Sequence, residues 1–301
     1  MSADLSIEDF AAFFAEIHGA TPFPWQSRLA AEIANTGRWP AVLDLPTGSG
    51  KTAAIDVAVF NLALQADRGP DRRAPVRVAF VVDRRLVVDD AFVRAQKLAQ
   101  TLATATGDGA AARVAARLRL LSASDPGSGE RPPLVVRRLR GGIPREDDWA
   151  RTPSQPTVLC STVDQVGSRL MFRGYGLSDR MKPIHAGLIG SDCLILLDEA
   201  HLAEPFRQTL DWVRHYRGAA WRDVTFGDGG PWGMATLTAT PADGAASFSL
   251  GADDRADPVL AARLGASKPA RLVGPAKAQA TRSGPAEGEE EADAEASTRD
   301  M

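Results

Sequence analysis

The sequence predicts an α/β fold, in which a doubly wound, mostly parallel sheet is covered by helices on both faces. The first observation is a set of at least five short apolar runs, among them residues 76–82 and 192–198, that suit strands buried on both faces. The second is that helical segments alternate with these runs, as they do where crossover helices join parallel strands. The third is that charged and small polar residues follow several of the runs. Since parallel strands present ligand-binding groups at their carboxyl ends, the functional edge is expected there.

The composition is that of a globular protein in solution. The 301 residues are 44% hydrophobic and 24% charged, which excludes a disordered or membrane-embedded chain. No run of 18 uncharged apolar residues is present, and the first residues lack the basic and apolar regions of a signal peptide. The two cysteines, Cys160 and Cys193, lie inside apolar runs, where buried and reduced thiols are expected. We therefore expect a cytoplasmic protein with no membrane partner.

Four regions are expected along the chain. Residues 1–20 hold an N-terminal helix, residues 21–250 form the main domain, and residues 251–276 begin a linker. Residues 277–301 contain no large apolar residue before Met301 and are expected to be a disordered acidic tail. Seven acidic residues and one arginine give residues 287–301 a net charge of −6, whereas residues 1–286 carry +3. A mildly basic body is compatible with a nucleic-acid partner but does not require one.

Capping residues and periodicity define the elements of the first half of the chain. Ser6 caps a first helix with a phenylalanine stripe that begins at Phe10, and Gly19 ends this helix. A second amphipathic helix begins near Trp25. The elements expected next are a strand at 40–45, a helix at 53–66, a strand at 76–82, a helix ending near 105 and a strand at 134–140.

The second half of the chain continues the same alternation. A short strand is expected at 157–160, and a helix capped by Ser161 or Thr162 is expected to begin within Ser161–Gln165. The residues between 145 and 156 are expected to form a loop. The elements expected after residue 190 are a strand at 192–198, a helix at 204–217, a strand at 234–241, a helix at 258–264 and the start of a strand at 270–273.

The segment Leu45-Pro-Thr-Gly-Ser-Gly-Lys-Thr52 lies between a strand and an apolar helix, which is the arrangement of a phosphate-binding loop. Gly48 and Gly50 let the backbone curl so that several N–H groups face one anion. Lys51 then reaches the β- and γ-phosphates, and the Thr52 hydroxyl is a ligand for Mg²⁺. One position departs from the strict pattern, because Leu45 stands where the first glycine is expected. The nucleotide-binding residues expected in the loop are Thr47, Gly48, Ser49, Gly50, Lys51 and Thr52.

Two adjacent carboxylates, Asp198 and Glu199, end the apolar run at 192–198. Asp198 is placed to hold Mg²⁺ through a water, and Glu199 to polarise the water that attacks the γ-phosphate. An isolated Asp-Glu pair more often only ends a strand or caps a helix. Together with the phosphate-binding loop, however, the pair indicates an ATP site. Its expected catalytic residues are Glu199, Asp198 and Lys51, and its expected cofactors are ATP and Mg²⁺.

Gln26 follows Phe23-Pro-Trp25 at the start of the second helix, shortly before the phosphate-binding loop. Its amide is able to read the edge of adenine by two hydrogen bonds. A glutamine near a helix start also satisfies backbone groups, and spacing alone does not decide between these two roles.

Basic residues and glycines follow two of the strands. Arg84 and Arg85 come directly after the strand at 76–82, and the basic run Arg137–Arg140 leads into Gly141 and Gly142. A glycine pair lets another backbone approach closely, and the arginines supply positive charge. These groups either meet a phosphate backbone or are simply solvated.

Four segments, in chain order, resemble motifs of a superfamily-two helicase of the DEAH type. Phe23–Gln26 is similar to the adenine-reading glutamine motif, and Leu45–Thr52, Asp198–His201 and Thr238–Thr240 are similar to motifs I, II and III. The segment Cys160–Arg173 is similar to the region before motif II in the CRISPR-associated helicase–nuclease of type I systems. The chain order suits subtype I-G, formerly I-U, in which the helicase precedes the nuclease.

The resemblance implies a RecA-like P-loop domain that binds ATP and Mg²⁺. The family is recruited by an RNA-guided CRISPR surveillance complex and translocates on single-stranded DNA, so both are implied as partners. Gln26 would recognise adenine, while His201, Thr238 and Thr240 would couple the nucleotide state to interdomain motion. The residues implied in contacts with the DNA backbone are Arg84, Arg85, Gly141, Gly142, Ser161 and Thr162.

The sequence also departs from the family pattern. No second RecA-like domain is recognisable after Pro241, and no His-Asp dipeptide of the nuclease is present. We therefore interpret the sequence as a first RecA-like domain alone: a truncated gene, a fragment, or half of a split enzyme whose second RecA-like and nuclease domains lie on a separate chain. Two alternatives stay open. One is a non-catalytic remnant that binds ATP or the surveillance complex, and the other is the motor of a restriction or repair helicase of the same superfamily.

Overall fold

The computed structural model describes residues 4–122, 131–143, 147–218, 220–221, 231–239 and 247–266. The expected strand at 270–273, the acidic tail, Thr240 and part of the expected loop at 145–156 lie outside the described residues. No helix within the described ranges combines the length and the apolar character needed to cross a bilayer.

Within these ranges, seven strands form one sheet. In chain order they are β1 (Val42–Asp44), β2 (Arg77–Val82), β3 (Val135–Leu139), β4 (Thr157–Thr162), β5 (Cys193–Asp198), β6 (Trp232–Thr238) and β7 (Ser247–Ser249). The order across the sheet is β3-β4-β2-β5-β6-β1-β7, and every neighbouring pair is parallel. All carboxyl ends therefore meet at one edge of the sheet.

Helices connect the strands and cover both faces of the sheet. In chain order they are α1 (Phe10–His18), α2 (Pro24–Thr36), α3 (Ala54–Leu64), α4 (Arg85–Thr104), α5 (Ala110–Ser122), α6 (Val163–Leu170), α7 (Met181–Gly190), α8 (Glu204–Tyr216), α9 (Ala252–Ala256) and α10 (Pro258–Leu264). Short 3₁₀ helices lie at Ile7–Asp9, Lys51–Ala53, Gly69–Asp71, Asp148–Arg151 and Ala200–Leu202. The expected α/β class with a doubly wound parallel sheet is confirmed.

Alternate residues of each central strand enter two separate cores. In β2, the side chains of Val78 and Phe80 pack into a core formed with α1 to α5. Ala79 and Val81 point to the other face and pack into a core formed with α6 to α8. Because side chains alternate along a strand, a strand buried on both faces is apolar except where a polar side chain finds partners. All six residues of β2 are buried, and Arg77, its one polar residue, donates hydrogen bonds to the backbone oxygens of Leu188 and Ser191.

The N-terminal helix packs against the helix that follows the phosphate-binding loop. The ring centroid of Phe10 in α1 lies 5.3 Å from that of Phe60 in α3. Asp56 of α3 is only 1% exposed, and its carboxylate lies 2.8 Å from the Nε2 atom of His18 in α1. The second oxygen of Asp56 accepts hydrogen bonds from Arg94 of α4. These contacts fix the position of α3 beneath the loop.

Several elements differ from the sequence-based expectations. Four of them, α5, α7, α9 and β7, have no counterpart among the predicted elements. α5 is rich in alanine, and β7 has only three residues. The helix expected to begin within Ser161–Gln165 is present, with Thr162 rather than Ser161 at its N-cap position. Ser161 and Thr162 extend β4 because they pair in register with Val81 and Val82 of β2, and α6 begins at Val163.

The chain continues beyond residue 250 as a packed structure. α10 has the predicted bounds, and its Leu260 is fully buried in the same core as α1 to α5. Arg28 of α2 donates a hydrogen bond to the carboxylate of Asp254 in α9, which is itself fully buried. The division of the chain at residue 250 stays a prediction.

Candidate nucleotide site at the carboxyl edge of the sheet

The phosphate-binding loop connects β1 to α3 at the carboxyl edge of the sheet. Gly48 and Gly50 have φ angles of +88° and +82°, a backbone region that glycine enters without steric cost. After Gly50, the 3₁₀ turn Lys51–Ala53 leads directly into α3. The loop therefore curls at the N-terminal end of an apolar helix, where backbone N–H groups favour an anion.

Lys51 bridges this loop to the end of β5. Its Nζ atom donates a hydrogen bond to Oε1 of Glu199 at 2.6 Å and lies 3.5 Å from Oδ1 of Asp198. The lysine side chain is only 8% exposed, although it carries a charge. The two carboxylates at the end of β5 thus hold the ammonium group of Lys51 in place. Lys51 and Glu199 are 148 positions apart in the sequence.

Glu199 occupies an unusual backbone conformation. Its φ and ψ angles are both +49°, in the left-handed region that non-glycine residues adopt at a cost of about 1 kcal/mol or more. Its N–H group donates to Oδ1 of Asp198 at 3.0 Å, and its Oε2 atom lies 3.6 Å from Nδ1 of His201. This turn at the end of β5 directs the Glu199 carboxylate towards Lys51.

Asp198 is buried, and its environment disfavours the charged form. Burial raises the pKa of the Asp198 carboxyl group above its ordinary value of 3.8, the neighbouring Glu199 adds to the rise, and the Lys51 ammonium group opposes it. A second cation near this carboxylate would lower the cost of its charge, because opposite charges favour ionisation. The position therefore suits a carboxylate that works together with a metal ion.

The start of α2 lies against the phosphate-binding loop. A Cβ atom built on Gly50 would lie 3.4 Å from Nε2 of Gln26 and 3.6 Å from the ring of Phe23. Gln26 is 2% exposed, and its Oε1 atom accepts a hydrogen bond from the Phe23 N–H group at 2.9 Å. The structure thus shows the backbone role for Gln26 and also places its amide beside the loop.

Trp25 of α2 holds the phosphate-binding loop in place through a hydrogen bond to its backbone. Its ring is fully buried, and its Nε1–H group donates to the backbone oxygen of Ser49 at 3.1 Å. The Ser49 hydroxyl donates in turn to the oxygen of Pro46 at 2.7 Å. The sequence indicated Trp25 only as a core residue, since nothing in the local pattern reveals a partner 24 residues away.

Arg263 of α10 is a second residue that the sequence did not indicate. Its guanidinium carbon lies 5.2 Å from the ring centroid of Phe23. Its backbone oxygen lies 3.7 Å from the position of a Cβ atom built on Gly48. Because Phe23 and Arg263 are 240 positions apart, only the tertiary structure brings them together at the side of the loop.

β6 separates the two halves of the site. Thr238 at its end pairs in register with Asp44 of β1, and its backbone oxygen accepts a hydrogen bond from the N–H group of Leu45 at 3.0 Å. Thr238 is 5% exposed. The expected coupling roles of His201 and Thr238 stay predictions, and Thr240 lies outside the described residues.

Thr52, the other expected metal ligand, is half-buried in the turn that follows the loop. Thr47, by contrast, is exposed on the loop. Within the described residues, no group of three or more His, Cys, Asp and Glu side chains is arranged to hold a metal ion by itself. The expected roles of Asp198 and Thr52 as metal ligands stay predictions.

The basic groups that follow β2 and β3 lie together on the same edge. A Cβ atom built on Gly141 would lie 3.3 Å from Nη2 of Arg85, and Gly142 has a φ angle of +83°. Asp89 accepts hydrogen bonds from Arg138 and Arg140, and the bond from Arg140 lowers the pKa of Asp89. Arg84 is exposed.

The two hydroxyl residues expected to contact DNA are buried. Ser161 is 0% exposed, and its Oγ atom lies 3.1 Å from the oxygen of Leu139 and 3.0 Å from that of Thr162. Thr162 is 5% exposed. A role of Ser161 and Thr162 in nucleic-acid contacts stays a prediction. Because their side chains are buried, such a contact would involve the backbone at these positions.

The loop, the carboxylate pair and the parallel sheet are those of a RecA-like P-loop domain. No protein-family model matches the chain, and no curated protein matches it. A solved structure to which it is similar is the crystal structure of the yeast DEAD-box splicing factor Prp28, with 15% sequence identity and a TM-score of 0.46. The alignment covers 80% of this chain and 48% of the Prp28 chain, so this chain spans about half the length of that structure.

Proposed function

We propose that this chain is the ATP-binding half of a superfamily-two helicase or translocase that acts on DNA. The observation that carries the proposal is the ion pair of Lys51 with Glu199, formed between the phosphate-binding loop and the end of β5. In NTPases of this fold class, a lysine of the loop binds the phosphates, and carboxylates at the end of a strand help to activate the attacking water. Here they are in contact at the edge where parallel sheets present their ligands.

The residues present fit ATP and Mg²⁺. The left-handed conformations of Gly48 and Gly50 curl the loop at the start of the following helix, and a side chain at either position would be strained. Asp198 and Thr52 supply hard oxygen ligands, which Mg²⁺ prefers. The bound metal ion would neutralise charge that develops on the phosphates. Recognition of the base by Gln26 rests on the resemblance of Phe23–Gln26 to the glutamine motif, and the Gln26 amide lies beside the loop at Gly50.

Lys51 exchanges partners when the nucleotide binds. In the free protein its ammonium group is held by Glu199 and Asp198, and in the complex it would move to the β- and γ-phosphates. This exchange releases the Glu199 carboxylate, which then accepts a proton from the attacking water. The strained turn at Glu199 keeps the carboxylate at the site during the exchange.

The particular system is the finer part of the proposal. The resemblance of Cys160–Arg173 supports a motor of type I CRISPR interference, with single-stranded DNA and an RNA-guided surveillance complex as partners. ATP sites of this superfamily lie between two RecA-like lobes, and the described residues form one of them. The opposing lobe would come from another domain, either of the same protein or of a separate chain. A restriction or repair motor remains the alternative system.

The test is nucleotide binding and ATP hydrolysis by the purified chain, with and without single-stranded DNA. Lys51→Ala should weaken ATP binding roughly 30- to 150-fold, because it removes a charge-assisted contact of about 2–3 kcal/mol. The matched control is Lys97→Ala, which removes an exposed lysine of α4. We expect tight binding by the wild-type chain with little turnover until an opposing lobe is added.

Two results would contradict the proposal. If Lys51→Ala and Lys97→Ala bind ATP equally well, the loop is not a phosphate site. If Glu199→Gln leaves turnover unchanged once an opposing lobe is present, Glu199 is not the base, and a non-catalytic ATP-binding remnant becomes the better interpretation.

A further inference from the structure

The amino edge of the sheet, opposite the nucleotide site, carries an elongated groove. Two cavities of about 710 and 460 Å³ adjoin each other and share Gly37, Arg38 and Arg73. Most of the lining residues precede β1 and β2 or lie at the start of β5 and β6, and Arg214 of α8 is the exception. Because a strand of six residues spans about 20 Å, the groove is well separated from the phosphate-binding loop.

The rim of this groove is strongly basic. Arginine side chains line it at five positions, and the only acidic residue among the lining residues is Asp71. The five are Arg38, Arg68, Arg72, Arg73 and Arg214. Asp192 holds Arg72 through two hydrogen bonds of 2.9 and 2.6 Å. In the part of the chain that the structure describes, no carboxylate lies within ion-pair distance of the exposed Arg38, Arg68 and Arg73 guanidinium groups.

The floor of the smaller cavity is apolar and aromatic. Trp39 and Trp232 contribute half-buried indole rings, and Leu194 and Met234 contribute buried side chains. The Trp232 ring N–H group donates to the oxygen of Ile189 at 3.1 Å, which fixes the orientation of this indole. The groove therefore combines cationic groups at its rim with flat apolar surfaces at its floor.

We propose that this groove is a binding site for single-stranded nucleic acid. Arginine forks match phosphate oxygens, and indole rings stack on bases of any sequence. An acidic polypeptide would use the arginine rim but would have no use for the aromatic floor. The two adjoining cavities share Gly37, Arg38 and Arg73, so the arginine rim and the aromatic floor belong to one continuous groove. The site is independent of ATP binding and lies on the edge opposite Arg84 and Arg85.

The first test measures the binding of a fluorescein-labelled oligothymidylate, about 12 nucleotides long, to the full chain by anisotropy across a salt series. The double variant Arg38→Ala, Arg73→Ala should bind roughly tenfold more weakly. The slope of log affinity against log salt should fall by about 1.4, since each lost phosphate contact accounts for about 0.7. Both side chains are exposed, and so unfolding by urea should change by less than about 0.5 kcal/mol.

Two control variants separate this groove from the other basic surfaces. Arg255→Ala removes an exposed arginine of α9 and should leave binding unchanged. The double variant Arg84→Ala, Arg85→Ala tests whether the oligonucleotide binds at the carboxyl edge instead. The proposal is overturned if this second pair abolishes binding while the Arg38 and Arg73 pair has no effect. It is also overturned if a synthetic peptide of residues 285–301 occupies the groove and the oligonucleotide does not.

A photocrosslinking experiment locates the contact directly. An oligothymidylate that contains 4-thiothymidine is irradiated with the full chain, and the crosslinked peptides are identified by mass spectrometry. Crosslinks to residues 37–41 and 68–75 support the proposal. Crosslinks confined to residues 83–86 and 139–142 contradict it, because they would place the whole nucleic acid at the carboxyl edge.

Discussion

The two edges of the sheet differ in how their charges are balanced. At the carboxyl edge, the protein pairs its own charges: Lys51 with Glu199 and Asp198, and Arg140 with Asp89. At the amino edge, the exposed Arg38 side chain faces a groove with no carboxylate in ion-pair distance among the described residues. A ligand of Lys51 must therefore displace an internal partner, whereas a ligand of Arg38 need not.

This difference has consequences for affinity and for geometry. Because one ion pair is exchanged for another, the net free energy gained on nucleotide binding is smaller. The internal partner, however, keeps Lys51 in position before the ligand arrives. Unpaired surface arginines contribute their full charge to binding, and their effect falls steeply with salt. The nucleotide site is thus preorganised, while the groove acts chiefly through its electrostatic field.

The largest loss of stability is expected when the tryptophan that hydrogen-bonds to the phosphate-binding loop is replaced. Trp25→Phe should lower the free energy of unfolding by about 1–3 kcal/mol, because it leaves the buried Ser49 oxygen without its donor and creates a cavity. Urea denaturation measures this change. Trp39→Phe at the amino edge is the matched control, since that indole is half-buried and should cost less. Equal losses for the two variants would mean that the carboxyl edge is not more rigidly held.

The second prediction concerns the pH dependence that the buried carboxylate imposes. The pKa of Asp198 is raised in the folded protein, so the folded state binds this proton more tightly than the unfolded state does. Its contribution to stability is complete below pH 3.8 and is lost as the pH rises through the folded pKa. Asp198→Asn should therefore become more stable relative to the wild type as the pH increases from 4 towards neutrality.

Urea denaturation of the two proteins across this pH range measures the difference. Asp83→Asn serves as the control, because Asp83 is an exposed carboxylate that follows β2 at the same edge. Its difference from the wild type gives the baseline for an exposed carboxylate at this edge. If the Asp198→Asn difference instead shrinks as the pH rises, the Lys51 ion pair outweighs the effect of burial.

The smallest expected effect tests whether α10 contributes to the nucleotide site. Arg263→Ala should weaken ATP binding about two- to fivefold, since a cation over an aromatic ring in an exposed site contributes about 0.5–1 kcal/mol. Tripolyphosphate, which lacks the base, should bind unchanged. Titration calorimetry with both ligands measures the two affinities, and Arg255→Ala is the matched control. An equal loss for both ligands would instead place Arg263 at the phosphates.

The local patterns of the sequence predicted the central part of this fold correctly. The strand, the loop and the helix around Gly48 and Gly50 follow from neighbouring residues, because glycines and an apolar helix are enough to form such a turn. The run that ends at Asp198 was recognised as a buried strand because both of its faces are apolar. The bounds of α10 follow from Asp257, which caps the helix, and from the proline after it.

Tertiary structure alone decided which distant groups meet. Strand order places β6 between β1 and β5, and the contact of Lys51 with Glu199 depends on that order. The pairing of β4 with β2 extends a strand through Ser161 against its capping preference. Local propensity amounts to a few tenths of a kcal/mol per residue, whereas burial and pairing across a sheet contribute more, and they depend on residues far away in the chain.

The sequence by itself determined that this chain is an α/β domain with a phosphate-binding loop and a pair of carboxylates that follow a buried strand. Only the tertiary structure decided that Trp25 anchors the loop, that Arg263 lies over Phe23, and that arginines from separate segments line one groove. The physical reason is that backbone turns and apolar periodicity are encoded in neighbouring residues. Ion pairs, ring contacts and grooves form between segments that are adjacent only after the sheet has assembled.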